Sequence, residues 1–247
     1  MLSSTSRFTA FLLSLCLLSA QSAVASEALQ LTAPPWPPMV NPEDPREGLA
    51  SEIVIAAFTV VDQQVELKTN PWRRVLWLAR HQQVDGLVGI WHADAREEFL
   101  LFSDPYYQSH ITAAYHKDRP LSGGEAQDLK GLRVGARQGA HYAGIFTGNP
   151  EIERITASTD LNMLHMLAAG RLEAAVGDRL ILQSIIDNDP ELADRLVLRD
   201  EDLIVVPIHF AMVKARDNAH KQVKAFNRGL SIIRDSGERD AIIDRYR

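Results

Sequence analysis

The stretch Val84-Asp85-Gly86-Leu87-Val88-Gly89-Ile90-Trp91-His92-Ala93-Asp94-Ala95-Arg96 decides the fold class. Its apolar core, Gly86 to Ile90, is short and uninterrupted, as in a strand buried on both faces, and a polar run follows at once. Upstream, Leu49, Ile53, Val54, Ala57, Phe58 and Val61 recur at helical spacing, Val65-Glu66-Leu67 reads as a strand, and Trp72 to Arg80 as a second helix. With a short strand at Leu29, the order is strand, helix, strand, helix, strand. That is the pattern of a parallel sheet covered by helices. The Pro-rich turn Pro34-Pro35-Trp36-Pro37-Pro38 lacks too many ladder donors to be helix or central strand.

The alternation restarts after Gly123-Gly124. Strands are expected at 132–136, 152–155 and 174–176, with helices opening near Ala140 and spanning 161–169 and 180–186. Ser158 or Thr159 is placed to cap the helix from Leu161 and Gly170 to end it. A strand at 208–213 and a helix carrying Val223, Phe226, Leu230 and Ile233 close the chain, giving two α/β units.

Of 247 residues, 46% are hydrophobic and 23% charged, proportions that exclude disorder and coiled coil. The formal charge of −6, with no basic cluster, argues against nucleic acid as a partner. Arg7, the apolar run Phe8 to Leu18 and Ala23-Val24-Ala25 read as a cleaved signal peptide over residues 1–25, since the run falls short of the ~20 residues a spanning helix needs. Cleavage removes Cys16, the single cysteine, so neither a disulfide nor a cysteine metal site is expected. The eight histidines show no H-x-x-x-H or H-x-H spacing, and no phosphate loop or nucleophile elbow occurs. No metal and no cofactor are expected.

Three segments place polar groups just past the carboxyl ends of expected strands, where open α/β sheets bind ligands. They are Gly89 to Arg96, Gly135 to His141 with Arg137, Gln138, Gly139 and Ala140, and Gly177-Asp178. Arg96 is suited to clamp a carboxylate, or to pair with Glu97 or Glu98 at the surface. Asp178 is suited to receive an ammonium, or to cap the helix from Arg179. Gly139-Ala140-His141 offers amides to an anion at a helix start. Trp36 and Trp91 read as ligand walls, and Trp77 as packing.

Longer runs carry a resemblance. Val84-Asp85-Gly86 to Gly89, Asp94-Ala95-Arg96-Glu97-Glu98, Phe102-Ser103-Asp104-Pro105-Tyr106-Tyr107, Asp128-Leu129-Lys130-Gly131 and Glu173-Ala174-Ala175-Val176-Gly177-Asp178 resemble the type II periplasmic solute-binding proteins of the polar amino acid class, family 3. The resemblance implies two lobes joined by two hinge strands, with ligand trapped between them. Residues 26–111 and 208–247 would form one lobe, and 112–207 the other. It further implies that Arg96 grips an α-carboxylate, Asp178 takes an α-ammonium, Trp36 and Trp72 line the pocket, and Arg137 to Ala140 contribute from the second lobe. Where the family usually carries Thr or Ser after the strand, this chain has Trp91 and Ala93. The implied function is capture of a small amino-acid-like or carboxylate solute in the periplasm by a monomer, not an enzyme, serving an ABC permease. The alternatives are a sensor module docking on a membrane receptor and an enzyme like the cyclohexadienyl dehydratases.

Overall fold

A computed structural model describes residues 27–121, 126–140, 142 and 144–246. The expected signal peptide, Cys16 and the side chain of His141 lie outside the described residues. The first unit contains β1 (Leu29–Ala33), α1 (Leu49–Thr59), β2 (Val65–Thr69), α2 (Trp72–Arg80), β3 (Gly86–Trp91) and the single turn α3 (Asp94–Glu97). A long strand, β4 (Leu100–His116), leads to the second unit: β5 (Arg133–Arg137), β6 (Glu153–Ala157), α4 (Asp160–Ala168), β7 (Ala174–Asp178), α5 (Arg179–Asp187), α6 (Pro190–Arg195) and β8 (Leu196–Leu198). The chain then returns through β9 (Ile204–Val213) to α7 (Ala219–Asp235) and α8 (Glu238–Asp244).

The strands form one curled sheet in the order β2-β1-β3-β9-β4-β7-β5-β6, with β8 beside β4. In each half, three parallel strands repeat the same arrangement: β1 lies between β2 and β3, and β5 between β6 and β7. The halves are joined by the antiparallel ladder of β4 and β9, which runs from Leu100 opposite Val213 to Ile111 opposite Ile204. The result is a two-lobe α/β fold with two connecting strands. Because the parallel strands of both lobes end at the same seam, the loops after them face one another across it.

One buried apolar cluster runs through both lobes, and a further one lies within the second. In the first, Ile53, Val54, Ala57 and Phe58 of α1 meet Phe226, Leu230 and Ile233 of α7, with Phe58 edge-on to Phe210 at 5.2 Å. The two helices approach so closely at Gly229 that a Cβ there would lie 1.8 Å from the Ala57 carbonyl oxygen. In the second, Met163, Leu164 and Leu167 of α4 pack with Leu182 and Ile186 of α5, and Leu192 and Leu196. Thr159 is the cap that fixes the start of α4, accepting the Asn162 N–H at 3.1 Å.

Two expectations fail. Among the described residues no helix opens at Ala140: the Ala140 N–H turns back to the Arg137 carbonyl, and residues 144–148 are turns. The cause is local, since Gly139 has a left-handed backbone (φ 78°) and Gly148 and Pro150 follow before a helical run can form. Trp77 is not packed but 51% exposed, stacked on His81 at 4.3 Å. Helix α2 buries Val75 and Ala79, and Trp77, two residues from each, falls on the opposite face.

Candidate functional site

The seam between the lobes holds an open-mouthed cavity of about 70 Å³. At 10–15 Å³ for each water centre, it has room for a few waters or a small solute. Around it stand Pro34, Trp36, Trp72, Gly89, Ile90, Trp91 and Arg96 from one lobe, and Arg137, Gln138, Gly139, Ala140, Tyr142, Asp160 and Asp178 from the other. All ten residues singled out from the sequence therefore border a single cavity. Each sits at or just after the carboxyl end of a parallel strand, apart from Trp72, which opens the helix after β2. Asp178 also borders a wider groove of about 860 Å³ along Tyr107, His110, Arg179 and Arg239, which lacks the indole walls.

Arg96 is half-buried, donates from Nη1 to the Trp91 carbonyl at 2.5 Å, and lies 5.1 Å from the Trp72 ring centre. Glu97 bonds His92 at 2.6 Å, so it is not the partner of Arg96. Among the described residues no carboxylate comes within ion-pairing distance of Arg96, and burial lowers its pKa without removing its charge.

Arg137 spans the seam. Its guanidinium reaches Asp160 Oδ2 at 3.3 Å in its own lobe and the Pro35 carbonyl at 3.3 Å in the other, 5.8 Å from the Trp36 ring centre. Gln138 is held by its N–H on the Ala157 carbonyl at 2.8 Å. Gly139 touches Trp72 across the seam: a Cβ at that position would lie 2.8 Å from the indole Cδ1. Trp91, 8% exposed, stands edge-on to Trp36 at 5.8 Å and tilted against Tyr142 at 5.6 Å.

Asp178 is the N-cap of α5. Its Oδ1 accepts the N–H of Leu180 at 2.9 Å and of Ile181 at 3.4 Å, and Oδ2 takes a short hydrogen bond from Ser109. Burial raises its pKa, and these hydrogen bonds offset only part of the rise. Asp160 is likewise raised by burial, with Arg137 pulling it back. Tyr142 is raised by burial and by the Asp160 charge.

Sequence reasoning missed Asp160 and Tyr142. Asp160 reads as an ordinary acidic residue in the first turn of a helix, and only the approach of Arg137 and Trp36 makes it a cleft group. The Arg137-to-Asp160 spacing carried the one available signal, an arginine and an acid after adjacent parallel strands. No group of three metal-ligating side chains occurs among the described residues.

Residues 28–247 match the family described as bacterial extracellular solute-binding proteins, family 3. A probable histidine-binding protein of Neisseria gonorrhoeae is 25% identical over 81% of this chain and 74% of its own. A putative ABC transporter arginine-binding protein 2 of Escherichia coli K12 is 22% identical over 91% and 93%. Among solved structures, a histidine kinase sensor domain similar to periplasmic binding proteins matches with TM-score 0.77 at 21% identity, covering 90% of this chain and 96% of that one. An ancestral arginine-binding protein bound to arginine matches with TM-score 0.74 at 19% identity, over 90% and 99%. These likenesses place the fold among the periplasmic binding proteins.

Proposed function

Because the chain belongs to the bacterial extracellular solute-binding proteins, family 3, we propose that it captures a small carboxylate-bearing solute in the periplasm and delivers it to an ABC importer. The observation that carries this reading is Arg96: a half-buried guanidinium at the cavity wall with no carboxylate partner among the described residues. A charged fork held by a backbone carbonyl and an indole face is preorganised for a bidentate carboxylate. Trp36, Trp72, Trp91 and Gly89 form the apolar wall beside it, and Arg137, Gln138, Gly139 and Ala140 close over the solute from the second lobe. Asp178 faces it as a capped carboxylate with one acceptor position left.

In this reading the lobes are residues 26–111 with 208–247, and 112–207. They hinge where β4 and β9 cross, and the protein acts as a monomer. No helix among the described residues is long and apolar enough to cross a membrane. On the same reading the solute is bound without turnover; Asp160 and Asp178, both raised by burial, are the cavity acids that an elimination would use, so recovery of the solute unchanged is the test of that part.

A thermal-shift screen with amino acids, polyamines, opines and small carboxylates tests the proposal. A ligand at a hundredfold excess over Kd stabilises by ~2.7 kcal/mol, a rise of roughly 5–10 °C in a chain of this size. Arg96→Ala should abolish that rise, and the solute should be recovered unchanged. A screen with no hit refutes solute binding; a full rise in Arg96→Ala refutes the carboxylate clamp.

A further inference from the structure

The hydrogen-bonding groups around the cavity are unevenly committed. Its carboxylates are partly engaged: Asp160 Oδ2 receives Arg137 and its other acceptor positions take no further hydrogen bond among the described residues, while Asp178 uses Oδ1 for two backbone amides and Oδ2 for Ser109, so the open acceptors remain fewer than the open donors. Of the four or so acceptor positions on Asp178, one remains.

The donors are open. Trp91 Nε1 is sealed from solvent and no described group accepts from it. Trp36 Nε1 is equally buried; it leans toward Asp160 and helps to hold that charge, without reaching hydrogen-bond geometry. The Tyr142 oxygen accepts the Arg137 N–H at 3.1 Å, so its own proton has no acceptor among the described residues. Arg96 spends one N–H on the Trp91 carbonyl and has others to give. These groups are contiguous, because Trp91 touches Trp36, Tyr142 and Arg96. At 91 and 93 the chain presents an indole and a methyl group, with no hydroxyl to receive an ammonium.

An amino acid brings an ammonium with three donors into a wall already in surplus of donors. A carboxylate without an amino group brings acceptors alone. We propose that the solute is a small organic acid lacking an amino group, its oxygens received by Arg96, the Trp91 indole N–H and the Tyr142 hydroxyl. This rests on the solute-binding reading above and narrows its substrate class. The cavity of about 70 Å³ suits an acid of a few carbons.

The test compares pairs that differ only in the amino group: propionate with L-alanine, succinate with L-aspartate, glutarate with L-glutamate, each titrated calorimetrically into the whole protein. In the pair of fitting length the plain acid should bind at least about tenfold tighter. Trp91→Phe, which keeps a six-membered aromatic ring and removes the N–H with the five-membered ring, should weaken that acid by about tenfold or more, since hydrogen bonds to charged groups are the stronger class. Its melting temperature should fall by only a few degrees, the cost of the smaller ring beside Trp36 and Tyr142, because the N–H removed has no protein partner among the described residues. An amino acid binding as tightly as its deaminated partner overturns the proposal, and unchanged affinity in Trp91→Phe overturns the assigned donor. If no member of any pair binds while the wider screen finds another solute, the substrate class is wrong and solute binding stands. If that screen is empty too, both readings fall.

Discussion

Gly139→Ala separates the energetics of the fold from those of lobe closure. Gly139 has φ 78°, a conformation that costs an alanine about 1 kcal/mol wherever the lobes sit. The added methyl would also stand 2.8 Å from Trp72 Cδ1 and 3.0 Å from Nε1, and Trp72 is backed by Arg96 at 5.1 Å from its ring. Overpacking of this kind costs ~1–3 kcal/mol, but the two residues belong to opposite lobes, so opening the hinge relieves it. The backbone cost therefore lowers the melting temperature by about 2–4 °C, while the contact cost falls on the closed form alone. Solute affinity should drop by roughly 5- to 150-fold. Calorimetric titration beside a melting curve measures both. An unchanged Kd with a much larger loss of melting temperature would mean that the seam is rigid, and would refute the reasoning.

Gly229→Ala should be far more damaging to stability, because the new methyl meets the Ala57 carbonyl, a backbone atom in a packed core; a fall of several degrees in melting temperature is expected, and a neutral result would mean that α1 and α7 separate easily. Asp178→Asn should change the pH profile of stability. Burial raises the Asp178 pKa, so between the ordinary carboxyl value near ~3.9 and the raised one the folded chain holds more protons than the unfolded one and loses stability as pH rises. Relative to wild type, Asp178→Asn should gain stability upward through that window in denaturant titrations; parallel profiles would refute it. Arg137→Ala removes the contacts to the Pro35 carbonyl and Asp160 and should enlarge the radius of gyration in solution scattering; an unchanged radius would show that these contacts do not hold the seam.

Much of this architecture is legible in the residues, for physical reasons that differ by element. The continuous apolar run of β3 and the 3.6-residue spacing in α7 report burial directly, and Thr159 marks the start of α4 because a cap is a local event. Cleft residues could be picked because strand ends in a parallel sheet have a fixed place. What stayed hidden depends on distant contacts or on an overruled local signal. β4 runs through Pro105, which reads as a breaker, and the strand survives because the ladder shifts register at that proline, opposite His209. The burial of Asp160 depends on Arg137 and on Trp36 of the other lobe, and no local pattern encodes that.

The ladder of β4 and β9 has a kinetic consequence. The first lobe is interrupted in the chain: β3 can pair with β1 at once but cannot acquire its second neighbour until Met212 and Ala211 arrive to pair with Gly86 and Leu87. The strands β5, β6 and β7 and their helices, by contrast, are contiguous and pair locally. Because long-range pairing is slow and domains fold as units, the second lobe should order first. Residues 27–91 should then stay open, and their apolar helix faces uncovered, until the last helices arrive to cover them. Were the chain exported through the signal peptide expected over residues 1–25, that dependence on β9 and the last helices would delay commitment to the native structure until nearly all of it had emerged.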